Sequence, residues 1–465
     1  MKQKSNLLEG PIWKGILLFA MPLLLGQIFQ QLYNTADALI VGNFKSPDEY
    51  SAVTSTGSLS FLLVGFFGGI SMGAGVVVAR YFGAKDTENL RQAIHTTIVL
   101  GFLSGVVLTV IGVAFTPTLL RWMDTDPKVL PYSIQYFRMY FLGMLGISMY
   151  NLCMGILRAV GDSRHPLYYL IISSIINIVL DLLFIAVFDW GVWSAALATT
   201  ISQLVSMVLC LWHLFRVDAE YRLRWSEMRM SVSHMKDIVR FGLPSGIQNS
   251  IISFANVIVQ TNINRFGSET MSGCGTYAKL EGYAFLPITC FTMAVTTFVS
   301  QNLGAQQYDR AKKGARFSLV CSVIMAELVG VILIVFARPL MELFIKNNEL
   351  AVEIGIQQSY VESLFFCCLA LSHGIASVLR GAGKPLIPMF VMLGSWCVLR
   401  VAYISILVPL IGERWVIFSA YPVTWTVSSI IYLFFYFKSD WIHGFDKKKS
   451  AQKLPSRSKK TDFSL

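Results

Sequence analysis

Residues 27–42, with the sequence QIFQQLYNTADALIVG, are the most informative stretch of the chain for its fold. They continue an apolar run that begins near Trp13, so the whole segment exceeds the roughly 20 residues needed to cross a bilayer. The run nevertheless contains Asp37, and a carboxylate at that depth costs about 2.5–3.5 kcal/mol. Asn34 lies three residues before this acid and Gln30 four residues earlier still, so the three polar side chains share one face of a helix. We therefore predict a membrane-spanning helix whose polar face forms an ion site.

The composition identifies the class of the whole protein. Of 465 residues, 54% are hydrophobic and 14% are charged, and the mean hydropathy is +0.58. Such values are typical of a polytopic membrane protein, so we predict an all-α fold with twelve transmembrane helices. Apolar windows of about 19 residues place the spans near 15–43, 54–80, 92–117, 130–157, 166–188, 191–215, 236–264, 278–302, 314–337, 352–379, 386–408 and 414–437.

The distribution of basic residues predicts the orientation. With the N-terminus inside, 28 of the 38 Lys and Arg residues lie in cytoplasmic segments, eight lie on the opposite side, and Arg138 and Arg400 lie within spans. The positive-inside rule therefore predicts a multi-pass protein of the cell membrane with both termini cytoplasmic. The net charge of +11 mostly reflects this topology. We expect the basic tail, 438–465, to meet anionic lipid and predict no nucleic-acid partner.

Three sequence motifs of the first half recur in the second half. The pairs are Phe19-Ala-Met-Pro22 with Phe241-Gly-Leu-Pro244, Arg80-Tyr-Phe-Gly83-Ala84 with Asn302-Leu-Gly304-Ala305, and Arg158-Ala-Val-Gly161 with Arg380-Gly-Ala-Gly383. The first and last pairs are both 222 residues apart, which indicates a tandem duplication of six spans. Because six is even, the copies share an orientation and form two lobes around a central binding cavity. We predict an N-terminal lobe at 1–216, a cytoplasmic amphipathic linker at 217–235 and a C-terminal lobe at 236–437.

The fifth predicted span repeats the polar pattern of the first. Asn177 and Asp181 are four residues apart and therefore share one helical face within an apolar segment. One buried acid could be satisfied by its neighbours, but two amide–carboxylate pairs in one lobe favour a cation or proton site. Oxygen ligands suit hard cations such as Na+, and buried carboxylates also suit proton carriage. The pattern leaves both ions open.

Two features of the first two spans concern helix geometry. Pro22 removes one backbone hydrogen bond from the first span and predicts a kink, which is either a hinge or static. Gly65, Gly69 and Gly73 follow at four-residue steps in the second span. This ladder of small residues predicts close packing against another helix.

The seventh span contributes only neutral polar side chains in its interior. Gln248, Asn249, Asn256 and Gln260 either line a substrate cavity together with Gln30 or form hydrogen bonds between helices.

Four other polar residues lie within apolar spans. Glu327 and Glu362 are interpreted as residues that face a lumen or an interface. Arg400 is predicted to pair with an acid or with carbonyl groups, and His373 is predicted to be packed with its nitrogens satisfied.

The motifs in this order resemble the multidrug and toxic compound extrusion (MATE) family over nearly the whole chain. The resemblance rests on Gln30-x-x-Tyr33-Asn34-x-x-Asp37-x-x-x-Val41-Gly42, on the two Arg-x-x-Gly motifs and on Asn177-x-x-x-Asp181. It implies a V-shaped pair of lobes that take H+ or Na+ inward and export a drug-like molecule, often cationic and aromatic. No cofactor other than this coupling ion is implied, and we expect a monomer.

Carried over residue by residue, the family's N-lobe cation site falls on Asp37, Asn177 and Asp181, with Thr199 of the sixth span as a fourth member. Asp37, Asn177 and Asp181 would be the metal ligands if the ion is Na+. Asn34 joins the site by its position.

The resemblance also implies a gate and a branch of the family. Pro22 matches the family's first-span proline, whose bending is a proposed gating device. One branch uses a Glu in the seventh span and an Asp in the tenth, whereas this sequence has no Glu in the seventh and Glu362 in the tenth. This departure argues against a C-lobe cation site and favours the branch that resembles DinF-type members.

Other functions receive less support from the sequence. A flippase for a lipid-linked precursor shares the two-lobe architecture but needs cationic side chains in the cavity, and the middles of the first, second and seventh spans have none. No His-Glu-x-x-His motif occurs, so we do not predict an enzyme. Gly383-Lys384 is followed by Pro385 rather than Ser or Thr, which argues against a phosphate-binding loop and ATP drive. A channel is a further alternative function, although the duplicated lobes favour a transporter that works by alternating access.

Overall fold

The structure is a computed structural model that describes residues 7–123, 125–346 and 348–445, with the helical backbone alone at 54–62. Twelve segments coincide with the twelve predicted spans, and we number them first to twelfth. The first six run Ile12–Phe44, Pro47–Gly83, Thr87–Trp122, Leu130–Leu142 with Met144–Ala159, Arg164–Val187 and Trp193–Arg216. The second six run Val232–Asn264, Ser268–Gly304, Tyr308–Val335, Glu349–Gly381, Leu386–Ile411 and Trp415–Lys438.

Ten of these segments contain a helical stretch that is long and apolar enough to cross a membrane. The fourth span also meets these criteria when its two helices, which are bent by 45° relative to each other, are counted as one span. The seventh, Val232–Asn264, has 33 residues but carries several amide side chains, so it does not qualify by hydropathy alone. Several helices extend beyond their predicted bounds because polar caps fix their ends. Ser46 and Glu49, for example, form a reciprocal capping box at the start of the second span.

The duplication is visible in the backbone. The fourth span breaks at Gly143, and the tenth breaks at Ser363–Phe365, at the equivalent position of the second lobe. Gly161 and Gly383 both have left-handed φ values, 85° and 74°, just after a helix end. The chain around each follows the same hydrogen-bond pattern, which caps the helix after the Arg-x-x-Gly motif. The repeated motif therefore encodes a repeated helix end.

The two lobes meet most closely along the second and seventh spans. An added Cβ on Gly69 would overlap the backbone of Gly246, and one on Gly73 would overlap that of Gly242. The predicted glycine ladder thus brings two backbones together. Residues 69–73 also spell Gly-x-Ser-x-Gly, but this stretch is helical, and Ser71 donates to the carbonyl of Asn151 at 2.6 Å. It has no strand-to-helix nucleophile elbow.

The inter-lobe contact continues to one end of the molecule. Gly83 lies against the backbone of Gln301, and Gly304 lies against that of Arg80. Leu7, the first described residue, accepts a hydrogen bond from Asn302 at the same end. We call this end, where the described chain begins and ends, the terminal face. The lobes are therefore closed against each other at the terminal face.

The outer surface of the helices is apolar. Val110, Phe115 and Val335 are each more than half exposed, and similar side chains recur along the outer spans. Exposed apolar area of this extent is unfavourable in water but suits lipid. The helices therefore present a lipid-facing surface.

The predicted linker, 217–235, is anchored to the third span. The backbone N–H of Arg224 donates to Nε2 of His95 at 3.0 Å, and that of Ser231 donates to Oγ1 of Thr96 at 3.0 Å. Tyr221 is buried, whereas Trp225 is exposed. The placement of the linker at a membrane surface stays a prediction. Residues 446–465 of the predicted basic tail lie outside the described residues.

Candidate substrate cavity and coupling site

A cavity of about 640 Å³ lies between the lobes. Its N-lobe wall includes the polar face of the first span, and its C-lobe wall comes from the eighth span. The polar lining from these two spans is Gln27, Gln30, Gln31, Asn34, Asp37, Thr296, Thr297 and Ser300. The predicted face of the first span therefore does face a cavity, and Gln30 and Asn34 belong to its wall.

Aromatic and thioether side chains complete the cavity. Four tyrosines and three methionines line it, namely Tyr33, Tyr136, Tyr140, Tyr150, Met72, Met154 and Met293. Flat aromatic faces and adaptable methionine side chains suit a planar organic molecule of variable shape. The size of the cavity is that of a typical small-molecule site.

Asp37 links this cavity to a buried cluster behind the first span. Asp181 and Asn177 of the fifth span are 0% and 1% exposed. The carboxyl groups of Asp37 and Asp181 are close enough to interact electrostatically. Nδ2 of Asn177 donates to Oγ1 of Thr199 at 3.5 Å. The structure thus brings together four residues that the family resemblance implied.

Four carboxyl and amide oxygens of this cluster lack a hydrogen-bond donor among the described residues. Oδ1 of Asp37, both carboxyl oxygens of Asp181 and Oδ1 of Asn177 accept no hydrogen bond from the described part of the chain. Buried polar atoms without partners are costly, and two adjacent carboxyl groups cannot both stay charged without a cation. The cluster is chemically suited to hold either a proton or a hard cation.

The fifth span changes its helix type directly after Asp181. The fifth span is α-helical up to Asp181 and π-helical over Leu182–Val187. The eleventh span has a second π-helical stretch, Leu393–Leu399, directly before the buried Arg400. Wide helical turns of this kind occur frequently at functional sites. Both π-helical stretches therefore adjoin a buried charged residue.

The four side chains of the seventh span that were predicted to line the cavity lie outside it. Gln248 is buried in the C-lobe, where its Oε1 accepts a hydrogen bond from Arg380 at 3.1 Å. Asn249 donates to the carbonyl of Gly65 at 3.0 Å and so joins the two lobes. Asn256 and Gln260 are exposed. None of these four predicted residues is among the residues that line the cavity.

Pro22 lies inside the first helix, Ile12–Phe44, and borders a small cleft beside the cavity. Gly26 and Arg158 border the same cleft. The role of Pro22 as a gating kink stays a prediction.

Arg158 is a cavity residue that the sequence interpretation did not assign to the site. Its Nη2 and Nη1 donate to the sulfur atoms of Met154 and Met293 at 3.1 and 3.6 Å, and its Nε has no partner among the described residues. In the sequence, Arg158 served only as part of the repeated Arg-x-x-Gly motif, and no role in a site was predicted for it. Its direction toward the cavity depends on the packing of the fourth span against the eighth.

The C-lobe contains a second charged cluster, whose member Glu281 sequence reasoning also missed. Buried Glu362 accepts a hydrogen bond from Gln358 at 2.8 Å and interacts electrostatically with Glu281 and Arg400. Arg400 was predicted to pair with an acid or with carbonyl groups, and it interacts electrostatically with both acids, although no ion pair within 4 Å joins them in the described structure. Its guanidinium donates to Thr424 Oγ1 at 3.1 Å and lies over aromatic rings. Cation–π contacts therefore add to the electrostatic attraction between Arg400 and the two acids.

Two further predictions concern single polar residues. Glu327 accepts the backbone N–H of Cys367 at 3.0 Å, next to the break of the tenth span, which is a structural role. His373 is packed between Phe285 and Trp396, as predicted. Its Nε2 nevertheless has no hydrogen-bond partner in the described structure, so the prediction of satisfied nitrogens was wrong.

Both lobes match the same known protein family. Residues 22–183 and 244–406 each match the family model MatE. The chain belongs to the MatE family. The two matches begin at Pro22 and Pro244, so the duplication found in the sequence is that of the MatE unit. The relatives are named as transporters or multidrug resistance proteins, so the chain is a transporter and not an enzyme.

Individual relatives cover most of the chain. The "Probable multidrug resistance protein YoeA" of Bacillus subtilis is 27% identical over 457 residues, which cover 95% of this chain and 96% of the relative. A protein of Shewanella oneidensis named "FAD transporter" is 24% identical over 355 residues, covering 74% of this chain and 77% of the relative.

A solved structure described as the outward-facing conformation of a multidrug resistance MATE family transporter has the same fold. Its TM-score is 0.87 at 22% identity, and the match covers 97% of this chain and 99% of that one. This likeness confirms the predicted all-α membrane fold with two lobes.

Proposed function

We propose that this MatE protein exports aromatic, often cationic, small molecules across the cell membrane by antiport with Na+ or H+. The coupling ion binds at Asp37, Asn177, Asp181 and Thr199. The exported molecule binds in the tyrosine-lined cavity between the lobes. Alternating access moves it from the cytoplasmic side to the outside.

The observation that carries this proposal is the buried pair of carboxyl groups. Asp181 is fully buried beside Asp37, and its oxygens accept no hydrogen bond from the described residues. Such a pair is stable only when a proton or a metal ion neutralises it. Because this carboxyl pair requires a cation, it provides the ion-binding site that an ion-driven transporter needs.

Asp37 couples the ion to the exported molecule because it belongs to both sites. It lines the cavity and also contacts the buried cluster electrostatically. When an ion neutralises the carboxyl pair, the cavity loses the negative charge that attracts a cationic molecule. Ion binding therefore weakens drug binding, and by linkage drug binding weakens ion binding to the same degree.

The membrane potential contributes energy when the exchange moves net positive charge inward. A driving ion gains about 2.3 kcal/mol per elementary charge per 100 mV. One-for-one exchange with a neutral molecule is electrogenic, and this energy then supports more than a roughly tenfold gradient of the molecule, since about 1.4 kcal/mol corresponds to a factor of ten. One-for-one exchange with a monovalent cation moves no net charge, so the concentration gradient of the coupling ion drives it.

The closed end supports the direction of transport. The second and seventh spans are in backbone contact toward the terminal face, whereas Asn34, Asn256 and Gln260 are exposed nearer the other end. With the termini cytoplasmic, this arrangement corresponds to a state that opens outward. In the export cycle it is the state that releases the drug and receives the coupling ion.

A second candidate is export of an anionic aromatic molecule, which Arg158 favours. Its guanidinium borders the cavity and contacts thioethers rather than a carboxylate in the described structure. The Shewanella relative is named an FAD transporter, and FAD combines aromatic rings with phosphates. Arg158 also weakens the argument against a flippase for a lipid-linked precursor, which assumed a cavity without cationic groups.

Transport in proteoliposomes tests the proposal. Purified protein is reconstituted with a fluorescent cationic dye on one side, and either a Na+ gradient or a pH gradient is imposed. We expect one of the two gradients to drive dye movement, which identifies the coupling ion. Dye movement that is equal with and without both gradients would exclude coupled antiport. Movement of FAD but not of the dye would support the second candidate instead.

A further inference from the structure

Three side chains with metal-ligand atoms meet at the terminal face of the N-lobe. Asp162 lies in the turn after the fourth span, His165 in the first turn of the fifth span, and His213 in the last turn of the sixth span. Asp162 and His165 are three residues apart, but His213 follows 48 residues later, so no spacing motif suggests the whole site. The fold brings their ligand atoms to within 4.8 Å of one another.

The distances within this cluster are short. Oδ2 of Asp162 is 2.6 Å from Nδ1 of His165 and 3.8 Å from Nε2 of His213. The centroids of the two imidazole rings are 4.2 Å apart. One carboxylate oxygen therefore faces two imidazole nitrogens that come from different helices.

The backbone fixes the orientation of the carboxylate. Oδ1 of Asp162 accepts the backbone N–H groups of Arg164 and His165, both at 3.2 Å, which leaves Oδ2 directed at the imidazoles. The carboxylate is thus oriented by the backbone, as metal-binding carboxylates are by their hydrogen-bond partners.

We propose that Asp162, His165 and His213 bind a divalent late transition-metal ion, with Zn2+ as the physiological candidate. Two imidazole nitrogens and one carboxylate oxygen are typical of Zn2+ sites that keep a fourth position for water. Bonds of about 2.0–2.1 Å in a tetrahedron place ligand atoms about 3.3 Å apart. The observed separations reach this value through shifts of about an ångström.

The chemistry of the ligands selects the class of ion. Imidazole favours Zn2+, Ni2+ and Cu2+, whereas Ca2+ and Mg2+ prefer sites made of oxygen atoms. The side chain of His165 is 43% exposed, so an ion can reach the cluster from the aqueous side of the terminal face. Asp162 and His213 are less exposed and form the inner part of the site.

The position of the site connects it to the proposed coupling cluster. The fifth span carries Asn177 and Asp181, and the sixth carries Thr199. A metal ion that joins the terminal-face ends of these two spans restrains their relative movement. This consequence rests on the proposed function, and we expect Zn2+ to slow ion-coupled export. Metal binding itself does not depend on it.

The chain offers an internal control for a simple His–Asp hydrogen bond. Nδ1 of His443 is 2.7 Å from Asp440, with the same spacing of three residues. Asp162, His165 and His213 form the metal-ligand group found among the described residues, and the Asp440 pair lacks a second imidazole. If a His–Asp pair were sufficient, both places would bind metal.

Metal titration of the full-length protein tests the proposal. Protein purified with a tag that contains no histidine is titrated with Zn2+ by calorimetry, and with Co2+ by visible absorption. We expect one ion per chain and imidazole-type Co2+ absorption. His213→Gln and His165→Gln should each weaken binding at least tenfold, and His443→Gln should leave it unchanged.

Melting temperatures without metal show whether the variants remain folded. Because His165 is partly exposed, His165→Gln keeps the test valid even if His213→Gln misfolds. No saturable binding to the parent, or equal binding by the parent and by folded His165→Gln, would overturn the proposal. Since binding is measured without a gradient, its failure is distinct from a failure of the proposed antiport.

Discussion

The carboxyl groups of Asp37 and Asp181 are the central residues of the proposed coupling site. The helical spacing of Gln30, Asn34 and Asp37 was sufficient to predict a polar face, and the cavity borders that face. The contact between Asp37 and Asp181 could not be derived from spacing, because it depends on how the first span packs against the fifth. The family resemblance supplied that pairing, and the geometry agrees with it.

Asp181→Asn should abolish gradient-driven export without unfolding the protein. The amide has nearly the same shape but cannot release a proton and binds a cation less strongly, so coupling is lost. Dye efflux from proteoliposomes and the melting temperature measure the two effects.

Glu327→Gln is the matched control for this variant, because Glu327 is an acid within a span that only accepts a backbone hydrogen bond. Equal loss of export in both variants would indicate a general effect of removing intramembrane acids.

Thr199→Val should raise the ion concentration needed for half-maximal export by up to about tenfold. It removes the hydroxyl that accepts a hydrogen bond from Asn177, and one such bond contributes about 0.5–1.5 kcal/mol. Thr199→Ser keeps the hydroxyl and should behave like the parent. If the Ser and Val variants are equally impaired, the methyl group of Thr199 matters rather than its oxygen.

At the scale of helices, the second span shows what a sequence pattern predicts well. Glycines at four-residue steps indicated a close helix contact, and the seventh span is that partner. The two Arg-x-x-Gly motifs were recognised as a repeat, but their physical meaning came from the backbone, since Gly161 and Gly383 take left-handed φ values at helix ends. The breaks of the fourth and tenth spans had no comparable signal.

Gly73→Ala should destabilise the closed contact between the lobes. The new methyl group overlaps the backbone of Gly242, and overpacking of this kind costs about 1–3 kcal/mol. We expect a lower melting temperature in detergent and slower dye export.

Gly68→Ala in the same helix is the control. Nothing lies within 4 Å of a Cβ at that position, so its melting temperature should be equal to or above that of the parent. Similar melting temperatures for both variants would argue against the backbone contact.

At the scale of the whole molecule, apolar windows and the 222-residue repeat predicted twelve spans in two lobes. What they could not predict is how residues from separate spans converge. Arg158 reaches the cavity only because the fourth span packs against the eighth, and Glu281 meets Glu362 and Arg400 only through the packing of the C-lobe. Composition and periodicity describe single helices, whereas these contacts depend on several.

The central claim is that one carboxylate, Asp37, serves both the ion and the exported molecule. It predicts competition in the whole protein without any gradient. Binding of a fluorescent cationic dye to detergent-solubilised protein should weaken as Na+ or H+ is added, because the ion neutralises the charge that attracts the dye. Asp37→Asn should bind the dye with an affinity that no longer depends on the ion.

The decisive measurement is therefore the dye affinity of the parent and of Asp37→Asn over a series of Na+ concentrations and pH values. The account predicts a clear dependence on one of the two ions in the parent and a flat response in the variant. The same dependence in both proteins would contradict it, because the ion would then act at a site that does not include Asp37.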